Sequence, residues 1–223
     1  MTRQDGRARQ SALDHLAYTA RVLSGRPIDV KARGQFSQYL DLLLLWNRAQ
    51  NLTGFESPPE IVRGLFEDSL LFLPLLPDRP LRVVDIGAGA GIPGMPLRII
   101  DEGIEVTFIE SKRKRVSFLK TVRRALGLEE SVVIEEGRAE TLVSEVVRRD
   151  GEFDAAVARA VGNLEQVVPT ALQYLKPGGV FIVSGPPPAR LAGLGAESLG
   201  GWRVLDYPGL GLKRGFFVAQ RSP

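Results

Sequence analysis

The spacing of apolar positions changes once along this chain, near residue 80. Before that point they recur every three or four residues. Phe36, Leu40, Leu43 and Leu44 fall on one helix face at this spacing, and the pattern predicts helices over residues 11–24 and about 29–50. The stretch "SPPEIVRGLFEDSLLFLPLL" opens with a serine and two prolines and predicts a third helix, ending near Pro74 and Pro77. The first eighty residues therefore read as all-helical.

From "LRVVDIG" onward, short β-branched runs alternate with amphipathic segments, the grammar of parallel strands joined by crossover helices. Strands are expected at 82–86, 105–110, 131–135, 153–158 and 179–184, with helices near 94–101, 112–127, 139–149 and 163–175. The tail "WRVLDYPGLGLKRGFFVAQ" adds two extended runs around a Pro/Gly turn, so an antiparallel hairpin should close one sheet edge. "SGPPPARLAGLGAESLGG" reads as a flexible connection. The expected organisation is an α/β fold, with a helical region over 1–80 and a Rossmann-like domain over 81–223.

Composition narrows the chemistry. With no cysteine there is no disulfide, thiolate-held metal or cysteine nucleophile, and one histidine, His15, builds neither a triad nor a His-rich metal site. No metal is expected, and His15, in a polar amphipathic segment, is expected at the surface or its boundary. "MTRQDGRARQSALDHLA" lacks the apolar stretch of a signal peptide, and "LLFLPLLP" is short and broken by prolines, so a cytoplasmic protein without a membrane span is expected. A net charge of +3 permits an anionic partner without requiring one.

The motif with most chemistry is "DIGAGAGIPG", residues 85–94. Ligands of open parallel sheets sit beyond the carboxyl ends of the strands, and Gly87, Gly89 and Gly91 let the backbone turn and approach one. Gly89, Gly91 and Gly94 also satisfy the dinucleotide pattern G-x-G-x-x-G, with Glu110 falling 21 residues after Gly89 as a ribose-binding acid. Asp85 favours a different ligand. A carboxylate at the strand end repels a pyrophosphate, whereas S-adenosylmethionine carries a sulfonium and an ammonium and no phosphate. Pro93 also removes a backbone N–H that a phosphate would use.

A second signal is charge. Between Ser111 and Leu128 stand Lys112, Arg113, Lys114, Arg115, Lys120, Arg123 and Arg124, with no acid. At about 100° per residue, Phe118, Leu119, Val122, Ala125 and Leu126 share one face and Arg113, Lys120, Arg123 and Arg124 the other. A solvated face is the plain explanation, but cations in the first turn oppose the helix dipole, which a phosphate-rich partner would offset. Arg138 and Arg159 close the third and fourth strands on the edge that carries the glycine loop, where guanidiniums suit an anionic or guanine-bearing substrate or pair with neighbouring carboxylates.

"WNRAQNLT" (46–53), "DS" (68–69), "DIGAGAGIPGMPL" (85–97), "ES" with "KRVSFL" (110–119), "GRAE" (137–140) and "ARA" (158–160) follow one another in the order and spacing of a known family. The chain resembles, over about residues 36–220, the bacterial 16S ribosomal RNA guanine-N7 methyltransferases of the RsmG or GidB family. The resemblance implies a class I S-adenosylmethionine-dependent methyltransferase, a mostly parallel sheet with an antiparallel edge hairpin behind an N-terminal helical cap. It implies S-adenosylmethionine as cofactor, 16S rRNA or the 30S subunit as partner, and a monomer. Carried over by position, Gly87, Ile92, Ala139, Glu140 and Arg159 contact the cofactor alongside Asp85, Gly89 and Glu110. Arg138 and Arg214 face the RNA, with Lys114 and Arg115 of the basic helix. The chain departs from the family where His-x-x-Asp-Ser is usual and Leu65 stands first, and where Lys-Gly usually follows the fifth strand and Ser184-Gly185 stands instead.

Guanine N7 has no proton to lose, so attack on the sulfonium methyl needs no general base, and the sequence offers no obvious one. Asn51, Asp68 and Arg138 are the candidates for positioning the reactants. Three rivals share features with this reading: a methyltransferase acting on a small molecule or protein, a nicotinamide oxidoreductase that tolerates Asp85, and a non-catalytic RNA-binding relative.

Overall fold

The computed structural model describes residues 3–78, 81–146, 151–160, 162–185 and 200–222. The expected connection after Ser184 falls at 186–199, outside the described residues, as does the end of the helix expected over 139–149.

The cap starts with α1 (Arg3–Ser24) and α2 (Val30–Gln50). α1 begins eight residues before its apolar periodicity does, because its polar start is held across the helix pair: Arg9 Nη2 donates to Ser37 Oγ at 2.6 Å and to Asp41 at 2.7 Å. Asp29 caps α2 by accepting from Ala32 N, and Asn51 ends it in the left-handed conformation at φ 46°. The third helix is broken up. α3 (Pro58–Ile61) opens with a capping box between Ser57 and Glu60, widens into a π-helical turn over Val62–Glu67, and resumes as α4 (Asp68–Leu70) before a 3-10 turn at Leu73–Leu75.

Seven strands form one sheet: β1 (Leu81–Ile86), β2 (Ile104–Glu110), β3 (Val132–Glu136), β4 (Phe153–Arg159), β5 (Leu175–Ser184), β6 (Gly201–Tyr207) and β7 (Leu212–Gln220). The order is β3-β2-β1-β4-β5-β7-β6, with the first five strands parallel and β7 antiparallel to both neighbours. The crossovers are α5 (Gly94–Ile100), α6 (Arg113–Ala125), α7 (Ala139–Val146) and α8 (Leu164–Tyr174). β5 starts earlier than its apolar run because Leu175 pairs Phe153 while the next partners are Ala155 and Val180, which leaves the Lys-Pro-Gly-Gly segment as a bulge within the strand.

Both faces of the sheet are covered, so the middles of its central strands are mostly apolar. Val83, Val106, Phe108, Ala155, Val157 and Ile182 face the cap with α5 and α6, while Val84, Ile86, Ala156, Phe181 and Val183 face α7 and α8. The cap shares this first core. Tyr39 stacks on Phe66 and Phe118 at centroid distances of 5.1 and 6.4 Å, which joins α2, the π-helical turn and α6.

Candidate functional site

The parallel register brings the predicted residues to one edge of the sheet. Asp85 pairs with Phe108 and Val157, Glu110 with Glu136 and Arg159 with Ser184, so the glycine loop, Glu110, Arg138 and Arg159 all follow or end strands on the carboxyl side. Gly137 N donates to Glu110 O at 3.0 Å, which ties the "GRAE" loop to the end of β2.

The glycine loop is held from beneath by carboxylates. Asp85 is fully buried and its Oδ2 accepts from Gly94 N at 2.8 Å, while its Oδ1 is buried with no hydrogen-bond partner. Burial raises its pKa from 3.8 to about 7 against the lowering effect of the Gly94 bond, with the Glu110 charge adding to the rise. Glu110, also buried, accepts from Gly89 N at 2.9 Å and from Lys112 N at 2.8 Å. Gly87 and Gly89 have φ of +73° and +58°, and a Cβ on Gly87 would meet nothing within 4 Å, so the loop's outer side is open. Gly94 is glycine for a different reason: a Cβ there would lie 2.6 Å from Phe108 Cε1 and 2.8 Å from Asp85 Oδ2. Ile92 is buried within the loop.

A second cluster joins the cap to the sheet edge. Asp68 is buried; its Oδ1 accepts from Arg214 Nε at 2.7 Å and Nη2 at 2.5 Å, and its Oδ2 lies 3.4 Å from Arg159 Nη2. Arg159 Nη2 also donates to Gly64 O at 2.8 Å, whereas its Nη1 is buried and unpartnered. Burial lowers the Arg159 pKa, the Asp68 charge acts the other way and Arg214 adds to the lowering. The structure thus gathers three residues that the sequence assigned separately.

The remaining candidates are distributed around these two clusters. Ala139 is buried and its carbonyl accepts from Tyr174 Oη at 2.7 Å, while Arg138 and Glu140 are exposed at the start of α7. Arg115 is partly exposed, 3.7 Å from Glu110 Oε2; Lys114 beside it is exposed. Asn51 lines a groove with Arg115, in whose lining neither Asp68 nor Arg138 takes part. Arg123, placed by periodicity on the solvent face of α6, instead donates to Val132 O at 3.3 Å. His15 sits half exposed at the boundary, 2.5 Å from buried Glu67.

Tyr39 carries a role that the sequence alone did not indicate. Its hydroxyl donates to Ala90 O, so a cap side chain fixes the crown of the glycine loop, and burial, with the Asp85 charge, raises its pKa. The only available signal was a hydroxyl within the apolar stripe of α2. Arg63 was missed too: it bonds Glu67 at 2.7 Å and the carbonyls of Leu210 and Gly211 at 2.7 Å each, pinning the turn between β6 and β7.

The sheet order, the glycine loop over two strand-end acids and the antiparallel seventh strand define a class I methyltransferase. The fold is similar to that of a precorrin-6Y C5,15-methyltransferase from Geobacter metallireducens, with a TM-score of 0.52 at 17% identity over 78% of this chain and 92% of that one. It is similar also to a predicted O-methyltransferase from Agrobacterium tumefaciens, with a TM-score of 0.50 at 25% identity over 66% and 76% of the two chains. Over 160 residues the sequence is 38% identical to the ribosomal RNA small subunit methyltransferase G of Streptococcus pyogenes serotype M12, covering 71% of this chain and 67% of that one. The GidB family model, described as rRNA small subunit methyltransferase G, matches residues 32–184, and the chain belongs to that family. Its cofactor is S-adenosylmethionine. The residues fit such a ligand: an open glycine cradle, buried carboxylates of the sign a cation needs, and a buried acceptor and a buried guanidinium N–H left unpartnered.

Among the described residues, no helix is long and apolar enough to cross a membrane.

Proposed function

We propose that this chain transfers a methyl group from S-adenosylmethionine to N7 of a guanine in 16S rRNA, in the cytoplasm. One observation carries the choice of donor over a dinucleotide. The loop amides of Gly89 and Gly94, which would cradle a diphosphate, already donate to Glu110 and Asp85, and Pro93 has no N–H to offer. The family carries the choice of RNA.

When bound, S-adenosylmethionine supplies a methyl group on a positively charged sulfur. Asp85 and Glu110 set a negative potential beneath it, and Gly87 and Gly89 let the backbone come close. Arg159, whose Nη1 lacks a partner, suits the donor's carboxylate. N7 presents a lone pair and no proton, so no side chain has to act as a base. The task of the chain is to hold donor and acceptor in line. Asp68 does this at second hand by fixing Arg159 and Arg214, while Arg138, exposed at the rim, is free to meet RNA. In this reading residues 1–80 form the cap over the site and 81–223 the methyltransferase domain.

Mass mapping of 16S rRNA from cells with and without the gene tests the proposal. One 7-methylguanosine should disappear and return on complementation; identical maps would remove rRNA as the substrate.

A further inference from the structure

A groove of about 840 Å³ runs between the end of α2 and the start of α6. Arg48 and Asn51 line one wall and Arg115 the other. Its shape is built in: Asn47 Nδ2 donates to Phe55 O and Asn47 Oδ1 accepts from Thr53 N, each at 2.8 Å, which folds the loop after α2 into a wall. Arg115 reaches from this groove toward Glu110 under the glycine loop, so the groove leads to the cofactor site.

Its charge is unbalanced. Arg48, Lys112, Arg113 and Lys114 are exposed and have no ion pair among the described residues, whereas Arg115 pairs with Glu110 at 3.7 Å. Lys31, Lys176 and Lys213, by contrast, end on carboxylates: Glu102 at 2.5 Å, Asp154 at 2.6 Å and Asp206 at 2.5 Å. Glu56 is the one acid in the lining. Lys112 caps α6 and Arg113 to Arg115 fill its first turn, where they add to the positive end of the helix dipole instead of offsetting it. An unneutralised cationic channel beside a methyl-transfer site suits a polyanion strand.

We infer that this groove seats a single-stranded segment of the RNA substrate, with its phosphates along Arg48, Arg115 and the start of α6, beside the target guanosine. The inference rests on the rRNA reading above. A single strand is required because N7 lies in the major groove, which in A-form RNA is too deep and narrow for protein side chains to reach. Arg214 is then not a principal phosphate contact, since it is turned onto Asp68.

Arg48→Glu tests this against Arg26→Glu, an equal charge reversal just before the other end of α2, roughly 30 Å away by helical rise. The probe is a single-stranded RNA dodecamer, with binding followed by fluorescence anisotropy across a salt series and turnover measured on 16S rRNA. Arg48→Glu should raise the dodecamer Kd and the KM for rRNA at least tenfold and flatten the salt slope by about one phosphate contact. Arg26→Glu should change either by less than twofold, and calorimetry should give unchanged S-adenosylhomocysteine binding in both variants. Equal effects from the two reversals, no effect from Arg48→Glu, or displacement of the dodecamer by polyglutamate at matched charge would overturn the inference. If the parent protein binds the dodecamer but methylates no rRNA, the functional reading falls, while the comparison of Kd values still decides the groove.

Discussion

Asp85→Asn separates the stability of the fold from the affinity of its site. Burial holds the Asp85 proton to about pH 7 against an ordinary 3.8. Roughly three pH units at about 1.4 kcal/mol each amount to about 4 kcal/mol that the ionised side chain takes from folding at neutral pH. Below about pH 4 folded and unfolded chains both hold the proton, so nothing is lost there. As pH rises toward 7 the unfolded chain releases the proton and the folded chain keeps it, so stability declines through that window and levels off above it. Asparagine keeps the shape and an acceptor for Gly94 N–H and never ionises, so it stands in for the protonated side chain. The variant should therefore be more stable than the parent at pH 8 by about 4 kcal/mol, with the advantage vanishing below about pH 4. Urea unfolding followed by the fluorescence of Trp46 and Trp202 at a series of pH values measures this. Calorimetry on the same variant should give S-adenosylmethionine affinity lower by about tenfold or more, because the anion beneath the loop is gone. In the parent, that affinity should weaken as pH falls below 7. A variant no more stable than the parent at pH 8 would refute the claim that Asp85 is a strained buried charge.

Three further outcomes follow from the packing. Asp68→Ala leaves the guanidiniums of Arg159 and Arg214 partly buried without their carboxylate and should lower stability by about 3 kcal/mol in chemical denaturation, with Asp68→Asn milder because an acceptor remains. Tyr39→Phe removes the bond to Ala90 O and should cost about 1–2 kcal/mol; calorimetry should also record weaker cofactor binding, since the loop crown loses its tether. Gly94→Ala forces a methyl against Phe108 and Asp85 and should lower the melting temperature more than Gly87→Ala, which meets open space and carries only the strain of its positive φ. The reverse ranking would contradict the packing beneath the loop.

The strands and their parallel order were legible because buried parallel strands leave continuous β-branched runs, and the hairpin because its turn carries proline and glycine in place of a crossover. Local rules failed where distant residues decide. The first turns of α1 have no apolar period, since Arg9 secures them through Ser37 and Asp41 on another helix. The π-helical turn leaves no mark in composition, and the bulge before Val180 looks like an ordinary Pro-Gly-Gly stop. In the site, Asp85 and Glu110 were identified by position, yet their hydrogen bonds run inward to the loop amides, which spacing alone cannot indicate. Asp68, Arg159 and Arg214 each stood out, but their convergence depends on a contact 146 residues long between Asp68 and Arg214.

That long contact has a consequence for how the protein is made. At translation speeds of roughly 5–20 residues per second, Asp68 leaves the ribosome about seven to thirty seconds before Arg214. Until then the nascent cap holds an acid with one of its two cations, and it docks onto a sheet still missing its last strand. A product cut short in that interval would lack β7 and, with it, the bidentate partner of Asp68, leaving the acid to Arg159 alone.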